Sequence, residues 1–193
     1  MGKRGRRKRG LQLAEEGFGP LLERDYWCVI RNCRVSPRAI IATLRRHFGA
    51  FAPAELVVFH PGRELELGDG VELEIAGAGV SRVRVTHLSP QSITLATLGG
   101  HPEAGRITFG SYRNRRGDVI FHIRSHARSG SRFHRAGFLA AGEVMQTSTW
   151  SDFVNRVAVA FGEGVLGLIH VETRPYPDEP PELVRHGPTY LAV

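Results

Sequence analysis

Thr-Ser-Thr-Trp-Ser-Asp-Phe-Val-Asn-Arg-Val-Ala-Val-Ala-Phe-Gly, residues 147–162, decides the fold. Its large apolar side chains, Trp150, Phe153, Val154, Val157 and Phe161, recur at i, i+3, i+4, i+7 and i+11, the spacing that gathers them on one helical face. Thr149 is placed to cap the first backbone N–H groups, Asp152 suits the positive end of the helix dipole, and Gly162 stops the helix. The spacing predicts one amphipathic helix late in the chain. Such a helix needs a sheet to lie on, and the residues before it supply one.

Working outward, those residues read as short strands. Val71, Leu73 and Ile75 alternate with Glu72 and Glu74; Val83 and Val85 with Arg82 and Arg84; Ile93 and Leu95 with Ser92 and Thr94; Ile107 and Phe109 with Arg106 and Thr108. Val119, Phe121 and Ile123 alternate with His122 and Arg124 in the same way, and residues 56–59 form a short apolar run. Alternation means that one face is buried and the other wet. Between the runs stand Gly68-Asp69-Gly70, Gly77-Ala78-Gly79, Ser89-Pro90, Gly99-Gly100-His101-Pro102 and Arg116-Gly117-Asp118, connections short enough to favour antiparallel neighbours.

Residues 26–34 add a strand partly buried on both faces, with Trp27 and Val29 opposed by Tyr26, Cys28 and Ile30. Ser36 then caps a helix that opens on Pro37, carries Ile40, Ile41, Leu44 and Phe48, and ends at Gly49. Residues 11–24, broken at Gly17, Gly19 and Pro20, read as a cover for one edge; residues 165–172 read as either a further short strand or a packed arm. The predicted order is strand, helix, six strands, long helix. That is an α+β fold in which a seven-stranded curved antiparallel sheet wraps a long C-terminal helix. The chain accordingly divides into a disordered basic tail (1–10), a single domain (11–172) and an extended proline-rich tail (173–193).

The chain has 193 residues, 41% of them hydrophobic, which suits one domain with a substantial core. No apolar run approaches the roughly 20 residues that cross a bilayer, so the expectation is a soluble, cytoplasmic protein of bacterial type. The formal charge of +7 is concentrated: residues 1–10 hold six basic groups and no acid, leaving 20 basic against 19 acidic elsewhere. One reading of that tail is a nucleic-acid or anionic-membrane tether through residues 3–9. A solvating arm is preferred, because no aromatic residue is interleaved to stack on bases. Cys28 and Cys33 are the only cysteines, too far apart on an extended chain for a disulfide and without the His partners of a zinc site. The sequence lacks the motifs of nucleotide, metal and serine-hydrolase chemistry, and no cofactor is expected.

This order of elements, with the opening Val29-Ile30-Arg31 through Ser36-Pro37, resembles the helix-grip superfamily of birch-pollen allergens, START lipid-transfer domains and polyketide cyclases. A narrower likeness lies in Thr97-Leu98-Gly99-Gly100-His101-Pro102-Glu103-Ala104-Gly105, followed by Phe109, Gly117, Val119, Phe121 and Ile123, then Arg128 and Gln146. This set is similar to an uncharacterised bacterial and plant family of unknown function with a Gly-His-Pro-Glu turn of this kind, best matched over residues 70–162. Where that family is expected to carry acidic residues after the turn glycine, this chain has Arg106 and Ile107. The resemblance implies a cavity between sheet and helix able to hold an apolar or amphipathic small molecule, such as a lipid. It leaves catalysis open, since the fold serves carriers, receptors and cyclases alike.

Each candidate residue carries a plainer reading beside the functional one. His101, with Glu103 to orient or charge it, is a candidate catalytic base at the cavity mouth of a cyclase- or hydrolase-type enzyme; alternatively His101 caps a turn that its glycines require. Arg113 either follows Ile107 and Phe109 inward to hold an acidic head group or reaches water at the end of its strand. Phe109, Phe121, Gln146 and Trp150 are the other candidate ligand contacts, Trp150 being more readily core. His122, Arg124, His126 and Arg128, two apart on one face, could form an anion-binding row. Because Val119, Phe121 and Ile123 claim the core, a solvated convex face is the plainer expectation for them. Two histidines four residues apart on a strand are separated by about 13 Å, too far to share a metal, and no metal site is expected.

Overall fold

The computed structural model describes residues 10–130 and 143–177. Its strands are β1 Phe18–Ile30, β2 Val57–His60, β3 Gly70–Ile75, β4 Gly79–Ser89, β5 Ser92–Thr97, β6 Glu103–Arg113, β7 Val119–Ser129 and β8 Val165–Pro175. The helices are α1 Pro37–Phe51 and α2 Glu143–Phe161. All eight strands form one antiparallel sheet in the order β2-β3-β4-β5-β6-β7-β1-β8. The meander from β2 to β7 follows from turn chemistry between alternating runs. The first and last strands then close onto it side by side.

The concave face is the one the alternation names. Val71, Leu73, Val83, Val85, Ile93, Leu95, Phe109, Val119, Phe121 and Ile123 are all buried. Against them lie Phe153, Val154, Val157 and Ala158 of α2, fully buried, with Trp150 and Phe161 partly buried beside them. Phe153 is the hub: its ring stands 5.2–6.2 Å, centroid to centroid, from Phe48, Phe51, Phe109, Phe121 and Trp150. Helix α1 starts as expected, the Ser36 side chain accepting the Ala39 N–H at 3.2 Å with Pro37 following, and buries Ile40, Ile41, Leu44 and Phe48.

Several boundaries differ from expectation, each for a physical reason. Helix α2 begins at Glu143, not at a Thr149 cap; Thr149 Oγ1 donates to the Met145 carbonyl at 2.8 Å, an interior bond, and the upstream Glu143, Met145 and Gln146 are good helix formers. Helix α1 runs past Gly49 to Phe51 across a kink at His47 (φ −132°, ψ 35°), because Phe51 gains burial there. Of the residues read as an edge cover, 18–24 are instead the first half of β1, and residues 165–175 form a true strand. The count therefore rises from seven to eight: β1 has unpaired backbone groups along its second edge, and β8 satisfies them. The basic segment with its nucleic-acid reading at residues 3–9, and the proline-rich tail beyond Pro177, lie outside the described residues. Among the described residues no helix is long and apolar enough to cross a membrane.

Candidate functional site

Glu103 opens β6 on the concave face, and the turn before it is fixed from several sides. The His101 ring accepts the Glu103 backbone N–H on Nδ1 at 3.0 Å. Gln12 accepts the Gly100 N–H at 2.9 Å and donates to the carbonyls of His101 and Glu103 at 2.9 and 2.8 Å. Two residues beyond, Gly105 has φ +154°, and a Cβ there would meet the His126 carbonyl oxygen at 2.1 Å and Ala127 Cα at 2.7 Å. Glycine is what lets β6 lie this close to β7. The Gly-His-Pro-Glu turn is thus a rigid mount for one carboxyl group.

That carboxyl is met from two other segments. Arg24, from the middle of β1 and 3% exposed, donates from Nη1 to Oε1 at 3.4 Å; Gln146, in the first turn of α2, donates from Nε2 to Oε2 at 2.5 Å. Burial pushes the Glu103 carboxyl above the usual carboxylate range, with the Arg24 charge and the Gln146 bond acting against it. The Gln146 carbonyl oxygen is buried with no hydrogen-bond partner among the described residues. Next to Glu103 lies a cavity of about 50 Å³, whose wall includes Phe59, Leu73, Leu95, Ile107, His101 and Trp150. It has room for a few water molecules or a group of a few heavy atoms.

The structure therefore brings His101, Glu103, Gln146 and Trp150 to one end of the concave face. Phe109 adjoins this end from the core, its ring edge-on to Trp150 at 5.6 Å, whereas Phe121 and Arg113 lie elsewhere. Phe109 and Phe121 are in the sealed core, Phe109 edge-on to Phe48 at 4.9 Å and Phe121 stacked on Phe153. Arg113 sits at the far end of β6, exposed, and donates from Nη1 to the Gly117 carbonyl at 2.6 Å; of its two readings, the structure has the water-facing one. Both cysteines are free thiols, and burial pushes the Cys28 thiol up to about 12. Among the described residues no three His, Cys, Asp or Glu side chains are grouped to hold a metal ion.

The expectation of a solvated convex face is overturned. His122, Arg124 and His126 are buried, facing Trp27, Asp25 and Glu23 across the β1–β7 register. Asp25 accepts Arg124 Nε at 2.6 Å and Nη2 at 3.1 Å, and lies 2.6 Å from His122 Nε2. Glu23 lies 2.5 Å from His126 Nε2 and accepts a bond from Arg174 of β8, while Tyr176 stacks on His126 at 4.2 Å. Arg128, half-buried, donates to the Gly19 carbonyl. Burial works to raise the Asp25 pKa, but the bonds and charges of His122 and Arg124 outweigh it and hold the carboxyl at about 2. The basic row serves this chain's own carboxylates. Its signal in the sequence was the phase of Glu23 and Asp25 with Trp27 and Val29, visible only once residues 18–25 are known to be strand.

A curved antiparallel sheet closed on one long helix defines the helix-grip class. Within it, the chain belongs to the family described as Domain of unknown function (DUF1990), which matches residues 40–156 and so includes the Gly-His-Pro-Glu turn. No curated protein matches the sequence. Among solved structures the chain is similar to the di-domain ARO/CYC StfQ from the steffimycin biosynthetic pathway, at 9% identity and a TM-score of 0.50, over 78% of this chain and 52% of that one. It is also similar to protein BH1534 of Bacillus halodurans (18% identity, TM-score 0.48, 75% of this chain and 99% of that one). A third is major latex-like protein 151 from Panax ginseng (11%, TM-score 0.48, 72% and 98%). At such identities the likeness is one of fold alone.

Proposed function

We propose that the protein binds a small, mainly apolar molecule between the sheet and the first turns of α2, with Glu103 meeting the ligand's polar end. The observation that carries this reading is a carboxyl group only 15% exposed, set in a largely hydrocarbon wall beside a Gln146 carbonyl oxygen with no partner among the described residues. Proton linkage supports it. The folded pKa of Glu103 lies above its unfolded value, so the group destabilises the fold as pH rises past the usual carboxylate range and is neutral to stability below it. A side chain that weakens the fold near neutral pH is the kind found at functional sites. The two acceptors favour a ligand that donates: a hydroxyl, phenol or amine on an apolar body. A cavity of about 50 Å³ admits only one end of such a molecule. Anything on the usual scale of about 300–1,000 Å³ requires Trp150, half-buried on α2, to swing outward.

Glu103 also suits proton transfer, because a carboxyl raised toward neutrality is a better acid–base group near neutral pH. A cyclase- or hydrolase-type reading then rests on Glu103 with Gln146, since His101 Nδ1 is engaged by the Glu103 N–H.

Trp27 and Trp150 are the only tryptophans, so Trp27→Phe leaves Trp150 as the sole indole reporter. Titrating that variant with phenols, long-chain alcohols and hydroxylated aromatic polyketides should shift its fluorescence and raise its Tm. Adding Glu103→Gln should weaken the response at least about tenfold. Absence of any response across the panel overturns the proposal. Conversion of a panel member to product, abolished by Glu103→Gln, selects the acid–base reading.

A further inference from the structure

The end of the sheet remote from Glu103 carries a surface that the cavity does not use. Strand β8 leaves the turn after α2 with Leu166 49% and Leu168 76% exposed. Between them Gly167 has φ +82°, and the register of β1 against β8 shifts at the same place, so the edge is bulged where the leucines stand. Exposed arginines lie at the same end of the sheet. Arg31, exposed just after β1, donates its N–H to the Gly164 carbonyl at 2.9 Å, which fixes it beside the turn leading to Leu166. The β6–β7 hairpin brings exposed Arg115 and Arg116 to the same end, since Ile120 pairs with Val29 two residues before Arg31. Arg38, also exposed, stands in the first turn of α1.

The acids at this end are already held. Glu163 accepts Asn32 Nδ2 at 2.9 Å and pairs with Arg34 at 3.6 Å; Asp118 accepts Asn114 Nδ2 at 3.0 Å. Arg31, Arg38, Arg115 and Arg116 have no acidic partner among the described residues. Exposed leucines that share one end of the molecule with uncompensated arginines match a surface that is apolar inside and negatively charged at its boundary.

We propose that this end of the molecule docks on an anionic lipid surface, Leu166 and Leu168 entering the interface while the arginines meet lipid phosphates. A second copy of the chain is a poorer occupant: the bulge interrupts the hydrogen-bond ladder that strand addition needs, and like charges would face each other. Nucleic acid would use the arginines but leave the leucines in water.

Cosedimentation of the full chain with vesicles tests this. Binding is expected to phosphatidylglycerol–phosphatidylcholine vesicles and not to phosphatidylcholine alone. Arg115→Glu with Arg116→Glu should weaken it about 30-fold or more, and Leu168→Asp about tenfold, with melting temperatures unchanged because all three side chains are exposed. Equal binding by these variants, as expected if residues 3–9 alone made the contact, overturns the proposal, and so does absence of binding or equal binding to neutral vesicles. Duplex-DNA binding that ignores Leu168→Asp would point to nucleic acid instead. A dimer that Leu168→Asp dissolves, without vesicle binding, would make the surface a self-contact.

Discussion

Asp25→Asn removes one charge from the centre of the convex face while keeping the shape of the side chain. The parent carboxylate takes two bonds from Arg124, at 2.6 and 3.1 Å, and sits 2.6 Å from His122 Nε2. An amide accepts one of these bonds and turns an N–H toward another donor. Arg124, 8% exposed, is then a buried cation whose principal partner is gone. Breaking a buried pair from one side costs about 3–5 kcal/mol. Proton linkage gives a figure of the same order: a fall from 3.8 to about 2 on folding corresponds to about 2 kcal/mol. Because the folded pKa lies below the unfolded one, that contribution is present above about pH 4 and is lost as pH falls toward about 2. Urea denaturation followed by circular dichroism should find Asp25→Asn about 3 kcal/mol less stable than the parent at neutral pH, with the gap narrowing on acidification. A loss under about 1 kcal/mol, or a gap that stays constant down to acid pH, would refute the claim that His122 and Arg124 hold this carboxyl charged.

Three further outcomes follow from the packing. Phe153→Ala empties the space shared by five aromatic rings and should cost about 3–5 kcal/mol by equilibrium unfolding; a loss under about 2 would mean that α2 is not what fills the concavity. Gly105→Ala drives a methyl group into the β7 backbone and should cost about 3 kcal/mol, measured the same way, whereas near-parent stability would show that β6 and β7 can separate there. In the native protein a disulfide-exchange reagent at mildly alkaline pH should titrate Cys33 and leave Cys28, held at about 12 by burial, until urea is added. Equal native reactivity of both thiols would count against that burial.

Which parts of this structure can be read from the sequence depends on whether the deciding contacts are local. Alternation names the concave face because hydrophobic side chains every second residue need no knowledge of their partners, and the spacing from Trp150 to Phe161 names α2 for the same reason. His122 and Arg124 look wet by that rule, since polarity points to water unless opposing carboxylates are known. Those carboxylates belong to residues 97 to 103 positions earlier, in a segment whose Gly17, Gly19 and Pro20 read as loop. The candidate site divides along the same line. Glu103 is marked by its turn and Gln146 by the resemblance, but Gln12 and Arg24 reach the turn over 89 and 79 residues, and Arg24 faces inward only once β1 is known to include it. Strand β8 stayed undecided because Gly164 and Gly167 break its pattern where it begins, both with positive φ.

The charges on β1 join the two faces of the sheet. Glu23, Arg24 and Asp25 are consecutive, so an extended backbone sends two carboxylates to the convex side and one guanidinium to the concave side. Arg24 is thus delivered to Glu103 by a piece of strand held from outside through Asp25–Arg124 and Glu23–His126. Loosening that hold should be felt in the cavity. In Asp25→Asn the 3.4 Å contact between Arg24 and Glu103 should lengthen, weakening the charge that opposes burial, and the Glu103 carboxyl should titrate higher than in the parent. Carboxyl-carbon NMR of the two proteins, with Glu103→Gln identifying the resonance, measures this directly. An unchanged Glu103 titration in a destabilised Asp25→Asn would mean that Arg24 is positioned from the concave side alone, and that the convex network serves stability without reaching the site.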